Sequence, residues 1–175
     1  MALQIRAGLG LDPWDVFHQG VADRTGLSFG TVVILTGAVV LLAWVPLRQR
    51  PGIGTVSNVF VIGIAVDASL ALLPEAGSTP VALTMLLAGV GLNGVASGAY
   101  IGAGLGPGPR DGLMTGLVRR TGGSIRVVRT SIELTVLAVG AALGGTVGLG
   151  TVLYALSIGP LVHVLLPRMT IPQLA

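Results

Sequence analysis

The chain has 175 residues, of which 52% are hydrophobic and 10% charged, with a mean hydropathy of +0.88. A soluble domain carries about 25% charged residues on its polar surface, so these values exclude that class and mark an integral membrane protein. There is no cysteine, which excludes disulfides and thiolate chemistry, and ten basic residues, all arginine, against seven acids give a net charge of +3, too little to indicate a nucleic-acid surface.

Taken in order, Met1 to Ala7 is short and partly apolar, without the basic start, long apolar run and cleavage site of a signal peptide. Pro13 to Asp23 follows Gly8 and Gly10, with Asp12 placed to cap a helix whose first position is Pro13. Asp15, His18, Gln19 and Asp23 make this segment too polar and too short to cross about 30 Å of hydrocarbon, so it is expected to be re-entrant or interfacial. Gly26 ends it and Ser28 can cap the next helix. Phe29 to Leu47 is the first expected span, closed by Pro46, Arg48, Arg50 and Pro51. Gly54 to Leu73 is the second, with Asp67 inside it. Pro80 to Ala103 is the third, carrying Gly94, Gly98 and Gly102 at the four-residue spacing that lets another helix approach closely. Pro109 to Arg120 repeats the short polar type. Arg126 or Val127 to Ala142 is the fourth span, with Arg129 and Glu133 one turn apart. Leu149 to Leu166 is the fifth, holding Pro160 and His163; a proline there leaves the Leu156 carbonyl without its helical donor and predicts a kink.

Two stretches show an internal duplication. GLGLDPWDVF (8–17) is matched at an offset of 96 residues by GLGPGPRDGL (104–113). The match continues through Arg24-Thr25-Gly26 and Arg120-Thr121-Gly122, Ser28 and Ser124, Gly54-Thr55-Val56 and Gly150-Thr151-Val152, and Ile62-Gly63 and Ile158-Gly159. The fold class expected is an all-α polytopic bundle. It forms one membrane domain over 1–175, with five transmembrane helices, two short re-entrant or interfacial helices, and copies at 8–74 and 80–167. Ile5 and Ala7 align with Ile101 and Ala103, so the tail of a first helix is present, and its body is expected upstream of Met1; the alternative is a copy that has lost that helix.

With five spans, Arg48, Arg50, Arg110, Arg119, Arg120, Arg126 and Arg168 fall on one side, Arg129 lies close by, and only Arg6 and Arg24 fall on the other. The richer side is cytoplasmic by the positive-inside rule, which places the carboxyl end inside. A complete copy has three spans, an odd number, so the copies are expected to be inverted in the membrane. That plan recurs in secondary transporters, whose sites lie between the copies.

The paired Gly-x-Gly-x-x-Pro-Trp-Asp and Gly-Pro-x-Asp motifs, the Arg-Thr-Gly turns and the Gly-Ile-Gly-Thr and Gly-Leu-Gly-Thr segments at 52–55 and 148–151 together resemble the bacterial YczE/YitT-type membrane proteins. The resemblance covers nearly the whole chain. It implies a small polytopic plasma-membrane protein and speaks to architecture more than to activity.

Seven residues are candidates for a solute or ion pathway. Asp15 and Asp111 hold the third position of their short helices in both copies. An acid there is favoured by about 0.3–1 kcal/mol, so helix stabilisation competes with a role in cation binding or gating. Arg110, whose counterpart is Trp14, stands at a helix start where an anion could bind. Gly102 to Gly108 is glycine-rich, but no strand precedes it and no lysine comes after it, so a nucleotide loop is excluded. Glu133 lies in a span, where a carboxylate is costly, and Arg129 at i−4 can pair with it. A buried structural bridge and a proton or substrate site are the two readings. Asp67 and His163 are counterparts in the last third of their spans; for the histidine, solvation at the interface is the plainer account, and its position three residues after Pro160 favours a role in the pathway.

The function expected is a small secondary transporter or permease-like protein for an unknown small solute or ion, multi-pass in the bacterial plasma membrane. The alternative is a non-transporting membrane accessory protein that supports another protein or a biosynthetic pathway. No nucleophile-base pair or metal-ligand cluster is visible, so neither an enzyme nor a bound cofactor or metal is expected. The lipid bilayer is the certain partner; a homo-oligomer is compatible with the pattern, and nucleic acid is not expected.

Overall fold

Glycine and proline punctuation cuts the apolar chain into helices of two lengths. In the computed structural model, which describes residues 1–170, the elements are α1 (Ala2–Ala7), α2 (Pro13–Thr25), α3 (Phe29–Trp44), α4 (Ile53–Leu72), α5 (Thr79–Gly102), α6 (Pro109–Thr121), α7 (Ile125–Leu143) and α8 (Leu149–Met169). Among the described residues there is no strand. The caps are those the residue types dictate. Asp12, Ser28 and Ser124 accept backbone N–H groups at the starts of α2, α3 and α7, and left-handed Gly26 and Gly122 end α2 and α6.

α4, α5 and α8, with 20, 24 and 21 residues, are long and apolar enough to cross a membrane. The protein is a multi-pass membrane protein. α2 and α3 pass the same test only together, and they meet at a bend of 115°, as in a broken span or a re-entrant loop. α3 stops at Trp44, short of the expected Leu47, because the chain turns through Val45 to Arg48, whose φ is +52°. Its 16 residues cover about 24 Å, less than the hydrocarbon thickness. α7 has 19 residues, but Arg126, Arg129 and Glu133 occupy its first half. α8 runs through Pro160 and Pro167 as one helix.

α3 packs on α4 and α5 on α8 within a copy, while the glycine-rich loops and the short helices make paired contacts that cross between the copies. Leu9 C=O accepts from Gly150 N at 2.7 Å, and its counterpart Leu105 C=O accepts from Gly54 N at 3.0 Å. Gly52 N and Gly148 N each donate to the hydroxyl three residues on, Thr55 and Thr151, both at 3.2 Å. Gly10 and Gly106 sit at φ +108° and +116°, and a Cβ on either would lie against the backbone of Gly148 or Gly52. α2 packs on α7, and α6 packs in the equivalent way on α3. The residues that fit these two crossings differ: Trp44 of α3 is seated on Gly112 of α6, whereas Gly140 of α7 admits the backbone of Val16 and Phe17 in α2. The buried Trp44 indole also donates to Pro109 C=O at 3.0 Å. Gly94, Gly98 and Gly102 of α5 face Leu161, Leu165 and Met169 of α8, the close packing expected of such a stripe.

Candidate functional site

The loop Gly8 to Leu11 is held down on the turn before α8: Leu11 N donates to Thr146 C=O at 3.3 Å, and Gln19 Oε1 accepts from Thr146 N at 2.8 Å. This anchoring fixes where α2 begins and points its first turn inward. Asp12 Oδ1 accepts from Trp14 N and Asp15 N at 3.0 and 3.1 Å, while Asp12 Oδ2 is buried with no partner. Asp15, one turn on, is fully buried and meets His18 Nδ1 at 3.3 Å through Oδ1; its own Oδ2 and His18 Nε2 are unpartnered. His18 is wedged among Trp14, Phe17 and Phe29, with ring centroids 5.8–6.4 Å away.

Arg110, from the first turn of α6, reaches into this cluster from the second copy. Its Nη1 lies 3.8 Å from Asp12 Oδ1, its Nη2 lies 3.8 Å from Asp15 Oδ1, and its guanidinium carbon stands 4.8 Å from the centre of the Trp14 ring. The two carboxylates are 2% and 0% exposed and the arginine 33%. These separations are ion-pair distances beyond hydrogen-bond length, so the guanidinium is attracted without being clamped.

Around the cluster lies a cavity of about 520 Å³. Asp12, Trp14 and His18 line it from the first motif, Arg110 and Asp111 from the second. α5 contributes Asn93, Ser97 and Tyr100, α7 contributes Arg129 and Glu133, and α8 contributes Tyr154 and His163; Val33, Val40 and Ile62 form the apolar side. Tyr100 Oη donates to Asp111 Oδ2, and Asn93 Nδ2 donates to Tyr154 Oη at 3.2 Å. Buried polar groups in a helical membrane protein cost free energy unless they are paired or face water, so a cavity lined this way suits water better than lipid.

Of the seven candidates, Arg110, Asp111, Arg129, Glu133 and His163 line this cavity, and Asp15 stands behind its wall against His18 and Arg110. Arg129 Nε and Glu133 Oε1 pair at 3.1 Å, but their side chains are 54% and 40% exposed. Of the two readings of this pair, the bridge forms, but its burial is corrected: the pair lies open at the cavity wall. Asp67 is placed elsewhere. Its carboxylate accepts from Ser28 Oγ and Gly30 N, both at 2.6 Å, and ties α4 to the start of α3. Sequence reasoning missed three roles: the second oxygen of Asp12, His18, and the hydroxyls of Tyr100 and Tyr154. Asp12, Asp15 and His18 recur at three-residue intervals, and Asn93, Ser97 and Tyr100 at the four- and three-residue steps of one helix face; those spacings were the available signal.

Residues 1–167 match the family of unknown function DUF6198. The chain belongs to that family. An uncharacterized protein of Haemophilus influenzae is 41% identical over 161 residues, 92% of this chain and 74% of the relative. The uncharacterized membrane protein YczE of Bacillus subtilis is 35% identical over 161 residues, 91% of this chain and 75% of its own length. The uncharacterized protein YyaS of the same organism is 28% identical over 174 residues, 95% of this chain and 85% of its own. The YczE likeness agrees with the resemblance carried by the motifs. No solved structure matches the chain.

Proposed function

We propose that the protein is a small secondary transporter that carries its solute, chemically unchanged, through the cavity between its two copies. The observation that carries this reading is the cavity itself: about 520 Å³, lined by charged side chains from both motifs, within a chain of mean hydropathy +0.88. Arg110 of one copy facing Asp12 and Asp15 of the other makes the ionic cluster depend on how the copies sit against each other. Movement of one copy against the other would then change the site and its access together, which is what alternating access requires. The exchanged contacts of the two motifs support an inverted pair of copies. In this arrangement there are five crossings, with α2 and α6 re-entrant, the carboxyl end cytoplasmic and the plasma membrane as location.

The test is flux in proteoliposomes, with a panel of small solutes and a pH gradient imposed in both directions. Accumulation of a solute against its gradient, lost when Asp15 is replaced by Asn in a folded protein, is the expected result. Failure of every solute to move faster than in empty liposomes would remove the transport reading.

A further inference from the structure

The first motif gathers two buried carboxyl groups and an indole, and the second motif sets a guanidinium against them. At the aligned positions the first copy has Asp12, Trp14, Asp15 and His18, whereas the second has Gly108, Arg110, Asp111 and Met114. The duplication has therefore kept one acid in common and made the rest unequal, with receptor groups on one side and a single guanidinium on the other. Two buried carboxylates and an indole face surround that guanidinium, an arrangement suited to a flat organic cation. One guanidinium is set against two carboxyl groups. Asp12 Oδ2, Asp15 Oδ2 and His18 Nε2 remain buried without partners, and both Asp12 and His18 line the cavity.

From this we infer that the Asp12, Trp14 and Asp15 cluster is the binding site for a small organic cation bearing a guanidinium or amine group, and that Arg110 is its tethered competitor. The inference rests on the transporter reading and names its substrate class. An anion is disfavoured, because it would meet two buried carboxylates with Arg110 already turned toward them. A bare metal ion would need oxygen ligands where the indole face stands, whereas a guanidinium or alkylammonium gains from that face. Tyr100, Tyr154 and Asn93 leave hydroxyl and amide groups across the cavity for the rest of such a molecule. Entry of the cation frees Arg110 from Asp12, Trp14 and Asp15 of the other copy. Occupancy is thereby coupled to the contact between copies.

The experiment is equilibrium binding of guanidinium by calorimetry to the full chain in lipid nanodiscs, at constant ionic strength. Wild type is expected to bind weakly and Arg110→Ala at least about tenfold more tightly, because the competitor is gone. Asp15→Asn in the Arg110→Ala background is expected to abolish binding. Guanidinium binding by folded Arg110→Ala that is no tighter than wild type, or that sodium displaces as well as tetramethylammonium does, overturns the inference. If Arg110→Ala does not fold, Arg110→Met, which keeps an unbranched apolar stem without the charge, gives the same readout. Tight guanidinium binding without flux of any cation would keep this site and remove the transport reading. Flux of a neutral or anionic solute, with guanidinium bound by neither protein, would keep transport and remove the site.

Discussion

Asp12 divides its two oxygens between folding and the cavity, and the division can be tested. Oδ1 caps α2 through Trp14 N and Asp15 N, while Oδ2 is buried and free. Asparagine caps a helix as well as aspartate does, so Asp12→Asn is expected to leave thermal stability nearly unchanged while removing a charge facing Arg110. Asp12→Ala loses both roles and is expected to cost about 0.5–2 kcal/mol, read as a lower midpoint of thermal unfolding in detergent. Equal stability of the Asn and Ala variants would show that the cap contributes nothing. The same reasoning limits Glu133. Because its pair with Arg129 is open at the cavity wall, Glu133→Gln is expected to change stability by about 0.5 kcal/mol or less, and a loss of several kcal/mol would restore the buried bridge. The capping role of Asp12 was legible in the Asp-Pro start of the helix. Its second role was not, because it depends on Arg110, a residue distant in sequence that the fold brings across.

Between helices, the two equivalent crossings are closed by different means, and this gives a prediction about packing. Gly140 of α7 lies so close to Val16 and Phe17 that even a methyl group would overlap the α2 backbone, whereas Gly91 of α5 faces open space. Gly140→Ala is expected to lower stability by about 1–3 kcal/mol, as overpacking does, and Gly91→Ala to leave it unchanged or raise it. The comparison is made by thermal unfolding of the two purified variants; similar losses in both would mean that helix propensity, and not the α2–α7 contact, governs the response. Helix boundaries were largely readable from Asp12-Pro13, Gly26, Ser28, Gly122 and Ser124, since capping acts over a few residues. The end of α3 was not, because apolar character continues past Trp44 while the turn is set by its seat on Gly112 and its bond to Pro109 C=O. The glycine stripe of α5 announced close packing but not its partner, which only the fold could name as α8.

At the scale of the molecule, the duplication was visible in the sequence, but the exchange was not: each glycine-rich loop docks on the other copy's Gly-x-Gly-Thr segment, not on its own. That exchange makes topology the decisive measurement. α5, with 24 residues, crosses once between Ser78 and the second motif, and α6, with 13 residues or about 20 Å of helix, is too short to cross back. Ser78 and Gly123 must then lie on opposite sides of the membrane if the copies are inverted. The chain has no natural cysteine, so single Ser78→Cys and Gly123→Cys variants report without a background. The arginines fix the expected direction: Arg119, Arg120 and Arg126 flank Gly123, whereas the loop before Ser78 carries none of its own and meets Arg6 through Glu75. A membrane-impermeant maleimide is expected to label the cysteine at 78 in intact cells and the one at 123 only after permeabilisation. Labelling of both at the same rate in intact cells would mean that α6 returns the chain across the membrane. The number of crossings per copy would then be even and the copies parallel, which removes the inverted pair of copies.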